Sequence, residues 1–378
     1  MPMLFANAEL KRSKVRFGML TLGAGLLVFV LLFQQALLNS LLEGMAGAIT
    51  HQSAPVLVLA REANRSVSGS LVTQQQIDAV AAVPGVEDAA ELGVTGLSFR
   101  AQGHDDLHNA AIIGFRPERP GTPIGLTRGR LPRAPNEVVA SGEDAPGRYG
   151  IGDTITIEPG DTDVVVVGMT RGGRLGVGPT LWTPWNTYEQ LVQLASPDTA
   201  VVLPSVVAVA PAPDVPLPQL VRDLNDAAPE MEALTREDAA EKTPGRSAIW
   251  LGFMMVIGLG YVVVAVVIGF FFLTMTVQKE ASITTLRAVG ARGSYLVRSL
   301  LWQVLVVTVG GLVIGALLLA LAAPLVRSTV LLTVDPVAMA TSAVPALAVA
   351  LLGAVPPLRR VLRTNPADVF SRPSLGGA

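Results

Sequence analysis

Three polar side chains interrupt the first apolar stretch of the sequence at regular intervals: Gln35, Asn39 and Glu43. The spacing i, i+4, i+8 places them on one face of a helix, where they form a polar stripe. Amide groups can donate and accept hydrogen bonds, and a carboxylate can coordinate a cation through its oxygens. Such a stripe is costly when it faces lipid tails. We therefore expect it to face other helices, a second copy of the chain, or a ligand.

A second group of residues has the chemistry to bind a large apolar molecule. Trp250, Phe253, Met254 and Met255 lie at the start of the second long apolar stretch. Aromatic rings and polarizable thioethers would form one wall of a binding site if they faced the same space as the polar stripe. The same residues are also typical of an aromatic belt at the membrane interface and of helix packing. We predict a substrate site from the two groups together.

Other reactive chemistry is scarce in this chain. It has 378 residues with no cysteine and three histidines, so thiolate catalysis, disulfides and thiolate metal sites are excluded. His104 and His108 have the i, i+4 spacing of a helical metal pair, but they stand between strand-like runs, and a polar hairpin loop explains them better. We expect no intrinsic metal site and no intrinsic cofactor. The net charge of -2 also gives no basic field for nucleic acid.

Long apolar runs predict the segments that cross a membrane. We predict four transmembrane helices over 17–50 (with a stalk), 246–278, 299–326 and 337–358, each long enough for a hydrocarbon core of about 30 Å. Lys and Arg concentrate in 1–16, 279–298 and 359–378, so these segments are predicted to be cytoplasmic. The chain is then a multi-pass protein of the cell membrane with both termini inside and with 327–336 as an outer loop. By helix rise, Glu43 lies about 39 Å beyond Phe17, at the outer headgroup level.

Residues 51–245 are predicted to form one α/β extracytoplasmic domain. Short apolar runs separated by Gly, Pro and Asp predict strands at 56–59, 137–140, 154–157 and 164–167. Thr73 and Gln76 have the spacing of a capping box, and Thr183 before Pro184 suggests a helix start. A further helix is predicted from Leu217 to Ala227. The chain thus combines a helical membrane part with an α/β domain.

The stretch from Val277 to Ala291, VQKEASITTLRAVGA, precedes another long apolar run and resembles the FtsX/MacB-type ABC permeases. Two further stretches agree with that family: Gly129 to Gly168 is similar to its extracytoplasmic core domain, and Arg359 to Asp368 is similar to its C-terminal end. The resemblance implies an FtsX/MacB-like permease that forms a homodimer and works with two copies of a cytoplasmic ABC ATPase. The sequence contains no G-x-x-x-x-G-K-[ST] phosphate loop, so we expect no ATPase activity in this chain and ATP to be bound by the partner.

The resemblance also implies which residues contact the ATPase. Residues 279–298 would be the cytoplasmic coupling helix, with an amphipathic pattern suited to an apolar groove. An interfacial helix on anionic lipid is the other interpretation of the same pattern. The residues expected to carry the coupling are Glu280, Ile283, Leu286, Arg287 and Gly290.

Within the family, the chain looks most like the heme-exporter (Hrt-type) members. This likeness implies an efflux permease that exports heme or another hydrophobic compound from the membrane, with Glu43 as a possible ligand of the heme iron. Carboxylate is an unusual axial ligand, which counts against that role unless the iron is Fe(III). Two other functions stay open: mechanotransmission to a lipoprotein, peptide or efflux partner, and regulation of cell-wall hydrolases.

Overall fold

The computed structural model describes residues 14–101, 106–145, 148–176, 178–278, 293–326, 336–356 and 358–359. By internal contacts the chain divides into two units, one of residues 1–38 and 251–378 and the other of residues 39–250. The first helix, α1 (Lys14–Thr50), contributes residues to both units. We call the second unit the α/β domain.

The α/β domain is built on one ten-stranded sheet. Its spatial order is β10-β1-β9-β2-β3-β8-β5-β7-β4, with β6 pairing with β2 and β7. The β3–β8 and β5–β7 pairs are parallel, and the other pairs are antiparallel. The strands are β1 (Val56–Ala60), β2 (Val86–Ala101), β3 (Leu107–Phe115), β4 (Leu126–Gly129), β5 (Glu137–Ser141), β6 (Thr154–Glu158), β7 (Thr162–Thr170), β8 (Thr180–Pro184), β9 (Val206–Pro211) and β10 (Met231–Thr235).

Strand β1 shows how the two faces of the sheet are covered. All five of its residues are buried. Because alternate side chains point to opposite faces, Val56 and Val58 join one core cluster while Leu57 and Leu59 join another. Helices α2 (Gln74–Ala81) and α4 (Leu217–Ala227) cover the first face. The second face packs against the end of α1.

Helix α3 (Trp185–Ala195) packs on β2 and β3 through Tyr188. Gly93 and Gly114 are directly opposite each other in the β2–β3 ladder. A Cβ atom at either glycine would overlap the Tyr188 ring, so the two glycines leave the space that the ring fills. This contact fixes α3 over a third core cluster of the sheet.

Local sequence signals agree with the structure at most of the predicted elements of this domain. The four predicted strands and the 217–227 helix are confirmed. The capping box is formed: the Thr73 hydroxyl accepts from the Gln76 N–H, and the Gln76 side chain accepts from the Thr73 N–H at 2.9 Å. The helix start suggested at Thr183 and Pro184 is confirmed, since a helix begins at Trp185, but the residue before it is Pro184, and Thr183 is buried in β8.

The other unit contains the apolar helices α6 (Arg246–Gln278, from Leu251 onward), α7 (Gly293–Val326) and α8 (Pro336–Gly353), with the first part of α1. The short helix α5 (Arg236–Glu241) belongs to the α/β domain. In the described residues, three helices are long and apolar enough to cross a membrane: 17–50, 246–278 and 297–325. Helix α8 is shorter, so the count of four spans stays a prediction.

Glycines let α1 and α7 approach closely in this unit. A Cβ at Gly25 would lie 2.6 Å from Cγ2 of Ile314, and a Cβ at Gly315 would lie 2.8 Å from Cγ1 of Val28. Small residues at such crossings are typical of membrane helices, where packing rather than hydrophobic burial holds helices together. Helix α7 begins at Gly293, within the range predicted for the coupling segment.

Candidate functional site

The end of α1 is hydrogen-bonded into the α/β domain by its backbone. The Ala48 N–H donates to the Arg174 carbonyl at 2.7 Å, and the Gly176 N–H donates to the Gly44 carbonyl at 2.5 Å. In a regular α-helix, the Ala48 N–H would donate to the Gly44 carbonyl. Both groups of that helical pair therefore bond to residues of the loop after β7. We call residues 171–176 the junction segment.

Two glycines of α1 make this approach possible. A Cβ at Gly44 would lie 2.5 Å from the Gly176 carbonyl oxygen. A Cβ at Gly47 would overlap the Gly172 oxygen and lie 2.8 Å from the Arg174 oxygen. Real Cβ atoms do not come this close to backbone oxygens, so any other residue would push the junction segment away from the helix.

The α/β domain holds the junction segment at nearly every residue. The Arg171 N–H donates to the Gly125 carbonyl at 3.0 Å, and the Trp182 indole N–H donates to the Gly173 carbonyl at 3.2 Å. The other two bonds run from the Gly172 N–H to Glu143 and from the Leu175 N–H to Thr180, each at 2.8 Å. The junction segment cannot move independently of the α/β domain unless these hydrogen bonds break. A displacement of the junction segment is therefore passed on to the domain.

A buried ion pair lies beneath the junction segment. The Nε of Arg174 is 3.3 Å from Oδ2 of Asp144, and the two side chains are 3% and 0% exposed. The Ser141 hydroxyl also donates to this carboxylate, and Arg148 lies 3.8 Å away. Burial raises the pKa of Asp144 above its ordinary value, while the Arg174 charge and the Ser141 hydrogen bond oppose that rise. The same arginine thus has its side chain in the domain core and its carbonyl on α1.

Two further arginines hydrogen-bond to the segment by which the chain enters the α/β domain, near the end of α1. Arg246, at the start of α6, donates to the Leu42 carbonyl of α1 at 2.9 Å. Arg236 donates to the Gln52 carbonyl at 3.0 Å, just after α1 ends. Charged donors make strong hydrogen bonds to backbone carbonyls. These two bonds attach the first turn of α6 to the last turns of α1, and Gln52, just after α1, to the start of α5.

The residues predicted for substrate binding lie on two helices. Gln35, Asn39 and Glu43 are on α1 and are partly buried. The second group is on α6: Trp250 and Met255 are exposed, and Phe253 and Met254 are partly buried. The spacing of the polar stripe along one helix is as predicted from the sequence. That the two groups face one binding space stays a prediction.

The other predicted sites are the coupling residues and the two histidines. The coupling residues Glu280, Ile283, Leu286, Arg287 and Gly290 lie outside the described residues, as does His104. His108 lies in strand β3 with its ring 5.6 Å from that of Phe99, so it is not part of a helical i, i+4 pair. Among the residues that the structure describes, no group of three or more His, Asp or Glu side chains could hold a metal.

The junction segment was not predicted from the sequence. Its signal was present as two glycine-bearing stretches, Gly44-x-x-Gly47 on α1 and RGGRLG at 171–176. Glycine spacing alone does not say which two stretches meet, because the contact consists of backbone hydrogen bonds between residues more than a hundred positions apart.

Comparison with known families covers both units. Residues 18–227 match the MacB-like periplasmic core domain, and residues 254–366 match the FtsX-like permease C-terminal domain. The first match alone includes more than half of the chain. The chain belongs to the FtsX/MacB family of ABC transporter permeases. As a permease of this type it has membrane-spanning helices, an extracytoplasmic α/β domain and a cytoplasmic ATPase partner.

Two permeases and one solved structure are similar to this chain. The permease is 26% identical over 304 residues to an ABC transporter permease of Mycobacterium tuberculosis, covering 79% of each chain. It is 20% identical over 372 residues to HrtB of Staphylococcus haemolyticus, a permease named for hemin transport, covering 97% of this chain and 99% of that one. The solved periplasmic region of MacB from Actinobacillus actinomycetemcomitans aligns with 50% of this chain and 91% of its own, at 11% identity and a TM-score of 0.36.

Proposed function

We propose that this permease carries movement driven by its cytoplasmic ATPase through α1 to the extracytoplasmic α/β domain. The observation that supports this is the double hydrogen bond of Gly44 and Ala48 to the junction segment. Helix α1 is continuous from Lys14 to Thr50, and a helix is stiff along its axis. A shift or rotation of α1 therefore pulls on the junction segment, which the buried Arg174 fixes to the domain core.

The proposed working unit is a dimer of this permease with two ATPase copies. With the four predicted spans, both termini would lie in the cytoplasm, beside the ATPase, and residues 51–245 would lie outside. The charge distribution around the apolar runs supports this orientation. The predicted coupling helix at 279–298 would receive the movement, and the α/β domain would deliver it outside.

The test of force transmission uses two glycine substitutions on the same helix. The permease and its ATPase are reconstituted in lipid nanodiscs with a spin label at Arg128→Cys, an exposed position of the α/β domain. We expect ATP to change the distance between the two labels of the dimer. Gly44→Ala should reduce this change while ATP hydrolysis continues, because its Cβ displaces the junction segment.

Gly23→Ala is the matched control, because a Cβ at Gly23 meets no atom within 4 Å. It should keep both ATP hydrolysis and the distance change. A Gly44→Ala permease with the full ATP-dependent distance change would refute transmission through the junction. So would equal losses in both variants.

Export of heme is a second candidate function, and it is compatible with the first. Similarity to HrtB over nearly the whole chain favours it, although the identity is only 20%. The polar stripe supplies a carboxylate, Glu43, on a partly buried face of α1. A flat apolar molecule that partitions into the membrane could reach Glu43 laterally from the outer leaflet, and its Fe(III) could bind the anionic oxygen of the carboxylate. The proposed substrate class is thus a hydrophobic compound, with heme as the compound to test.

The heme proposal is tested by absorption titration of the purified complex. Glu43→Ala should weaken heme binding and heme-stimulated ATPase activity with assembly unchanged. Glu43→Gln separates the roles, because it keeps the size and hydrogen bonding but removes the anionic donor. Met254→Ala should have a smaller effect. His51→Ala is the control for a ligand beyond the membrane: an unchanged spectrum in Glu43→Ala with loss in His51→Ala would exclude the polar stripe.

A further inference from the structure

An open groove of about 410 Å³ lies on the α/β domain near the start of α3. Its walls contain three arginines, Arg116, Arg119 and Arg133, together with Trp185 and three prolines. The volume is within the range of ligand sites, about 300–1,000 Å³. Nothing in the proposed transmission of force uses this groove, and the inference below does not depend on it.

Two of the arginines are held in position by acidic neighbours. Arg116 donates through Nε and Nη2 to Glu91 at 2.6 and 3.1 Å, and its guanidinium lies 5.6 Å from the centre of the Trp185 ring. Arg119 donates through Nε and Nη2 to Asp88, and also to the Ala89 carbonyl at 2.8 Å. In the described part of the chain neither Nη1 has a hydrogen-bond partner. A guanidinium has five N–H donors in a fixed fork, so each Nη1 presents donors at a fixed angle.

The third arginine is different. The Arg133 side chain is exposed and makes no hydrogen bond or ion pair with the described residues. Glu91 and Asp88 neutralise the charges of the other two arginines. The groove therefore offers one uncompensated positive charge on Arg133, the free Nη1 donors of two arginines whose charges are neutralised, and the exposed apolar surface of Pro117 and Pro135.

We propose that this groove binds an extended peptide segment of an extracytoplasmic protein, with one acidic side chain among apolar residues. The acidic side chain pairs with Arg133, backbone carbonyls accept from the Nη1 groups, and apolar side chains lie against the exposed Pro117 and Pro135. An inorganic anion or a phosphate headgroup could accept from Arg133 and the Nη1 donors, but it would leave the apolar surface of the groove without a partner. The groove is thus complementary to a ligand that combines an acidic group, carbonyl acceptors and apolar surface, and a polypeptide has all three.

The test is a selection of displayed random seven-residue peptides on the full-length permease in nanodiscs. We expect enrichment of sequences with one Asp or Glu flanked by apolar residues. Synthetic versions of the enriched peptides should bind about tenfold more weakly to Arg133→Ala, which removes a charge-assisted contact. Arg128→Ala is the matched control, because Arg128 is an exposed arginine of the same domain outside the groove.

Three results would overturn the proposal: no enrichment over the starting library, equal binding to the Arg133→Ala and wild-type permeases, or equal weakening by Arg128→Ala. Complete displacement of the peptides by millimolar inorganic phosphate would assign the groove to a simple anion. Displacement by vesicles rich in anionic lipid, but not by neutral vesicles, would assign it to the membrane surface. Either displacement refutes a peptide site.

Discussion

The buried guanidinium of Arg174 lies 3.3 Å from the carboxylate of Asp144, while the carbonyl of the same arginine accepts the Ala48 N–H of α1. One residue therefore connects the domain core to the first helix. Burying the Arg174 charge without a partner would be costly, and the Asp144 carboxylate offsets that cost. The pair fixes the orientation of the junction segment, and the first two predictions follow from that arrangement.

The first prediction concerns this ion pair. Arg174→Met should lower the free energy of unfolding by about 3–5 kcal/mol, because it leaves the Asp144 carboxylate buried with too few partners. Thermal unfolding in detergent, followed by tryptophan fluorescence, measures the change. Arg174→Met combined with Asp144→Leu should recover part of the loss, since the unpaired charge is then gone.

Arg65→Met is the matched control for the ion pair. Arg65 pairs with Glu232 at 2.8 Å, but its side chain is 42% exposed. Exposed pairs contribute only about 0–1 kcal/mol. A loss for Arg174→Met as small as that for Arg65→Met would show that the buried pair does not fix the junction segment.

The second prediction concerns the contact of α1 with the junction segment. Gly47→Ala should destabilise the α/β domain by about 1–3 kcal/mol, the usual cost of overpacking, because its Cβ overlaps backbone oxygens of the segment. The thermal midpoint should fall. Gly23→Ala should instead be neutral or slightly stabilising, because alanine favours the helix by about 0.4–1 kcal/mol where space is open. Equal midpoints for the two variants would contradict the close approach.

How much of this structure follows from the sequence depends on how local its causes are. The Thr73–Gln76 capping box was predictable because both hydrogen bonds join residues three positions apart. The 16-residue strand β2 was not singled out, because its sequence VEDAAELGVTGLSFRA mixes acidic residues and glycines with apolar ones. It is a strand because β9 pairs with its first half, and β3 and β6 pair with its second half. Of these partners, β6 and β9 come from distant parts of the chain.

The same distinction applies to the sites. The polar stripe needs only the helical repeat, so Gln35, Asn39 and Glu43 could be placed on one face without coordinates. The arginine groove brings together residues from several distant segments, and only the fold shows that acidic neighbours hold Arg116 and Arg119. Charge counts along the sequence cannot separate those two from Arg133, whose charge is not neutralised.

The third prediction concerns acid sensitivity. The Arg130 guanidinium, with the N–H groups of Arg133 and Ala134, lowers the pKa of Glu137 from 4.5 to about 2. A carboxylate with a lowered folded-state pKa stabilises the fold above its unfolded pKa, and this contribution disappears as pH falls through the folded value. Between pH 4.5 and about 2, the thermal midpoint of the wild type should therefore fall more steeply than that of Glu137→Gln.

Glu87→Gln is the charge-matched control, since it removes an exposed carboxylate of strand β2. It should retain the steep fall seen in the wild type. If the Glu137→Gln profile is as steep as that of the wild type, the acid-side loss arises elsewhere in the protein.

The fourth prediction concerns orientation in the membrane. The natural chain has no cysteine, so a single introduced thiol is the only one present. In whole cells, Arg128→Cys should react with a membrane-impermeant maleimide, because Arg128 is exposed on the extracytoplasmic domain. Ser294→Cys should react only after the cells are permeabilised. Labelling of Ser294→Cys alone in intact cells would invert the proposed topology.

The last prediction concerns the ATPase contact, which lies outside the described residues and rests on the sequence pattern of 279–298. Ile283 and Leu286 fall on one side of a helix, with Thr284 and Thr285 on the opposite side. Replacing Ile283 and Leu286 by Asp should abolish co-purification with the ATPase, because two charges would have to enter an apolar groove without partners. Affinity purification of the tagged permease, followed by ATPase immunoblotting, measures the loss.

Replacing Thr284 and Thr285 by Asp adds the same charge to the same segment and should leave the complex intact. If both double variants lose the ATPase, the segment does not tolerate added negative charge in general, and the apolar face has no special role. If neither loses it, the ATPase binds elsewhere, and an interfacial helix on anionic lipid becomes the better interpretation of the segment. Loss in the Ile283 and Leu286 variant alone is the result that places the apolar side of this helix in the ATPase groove.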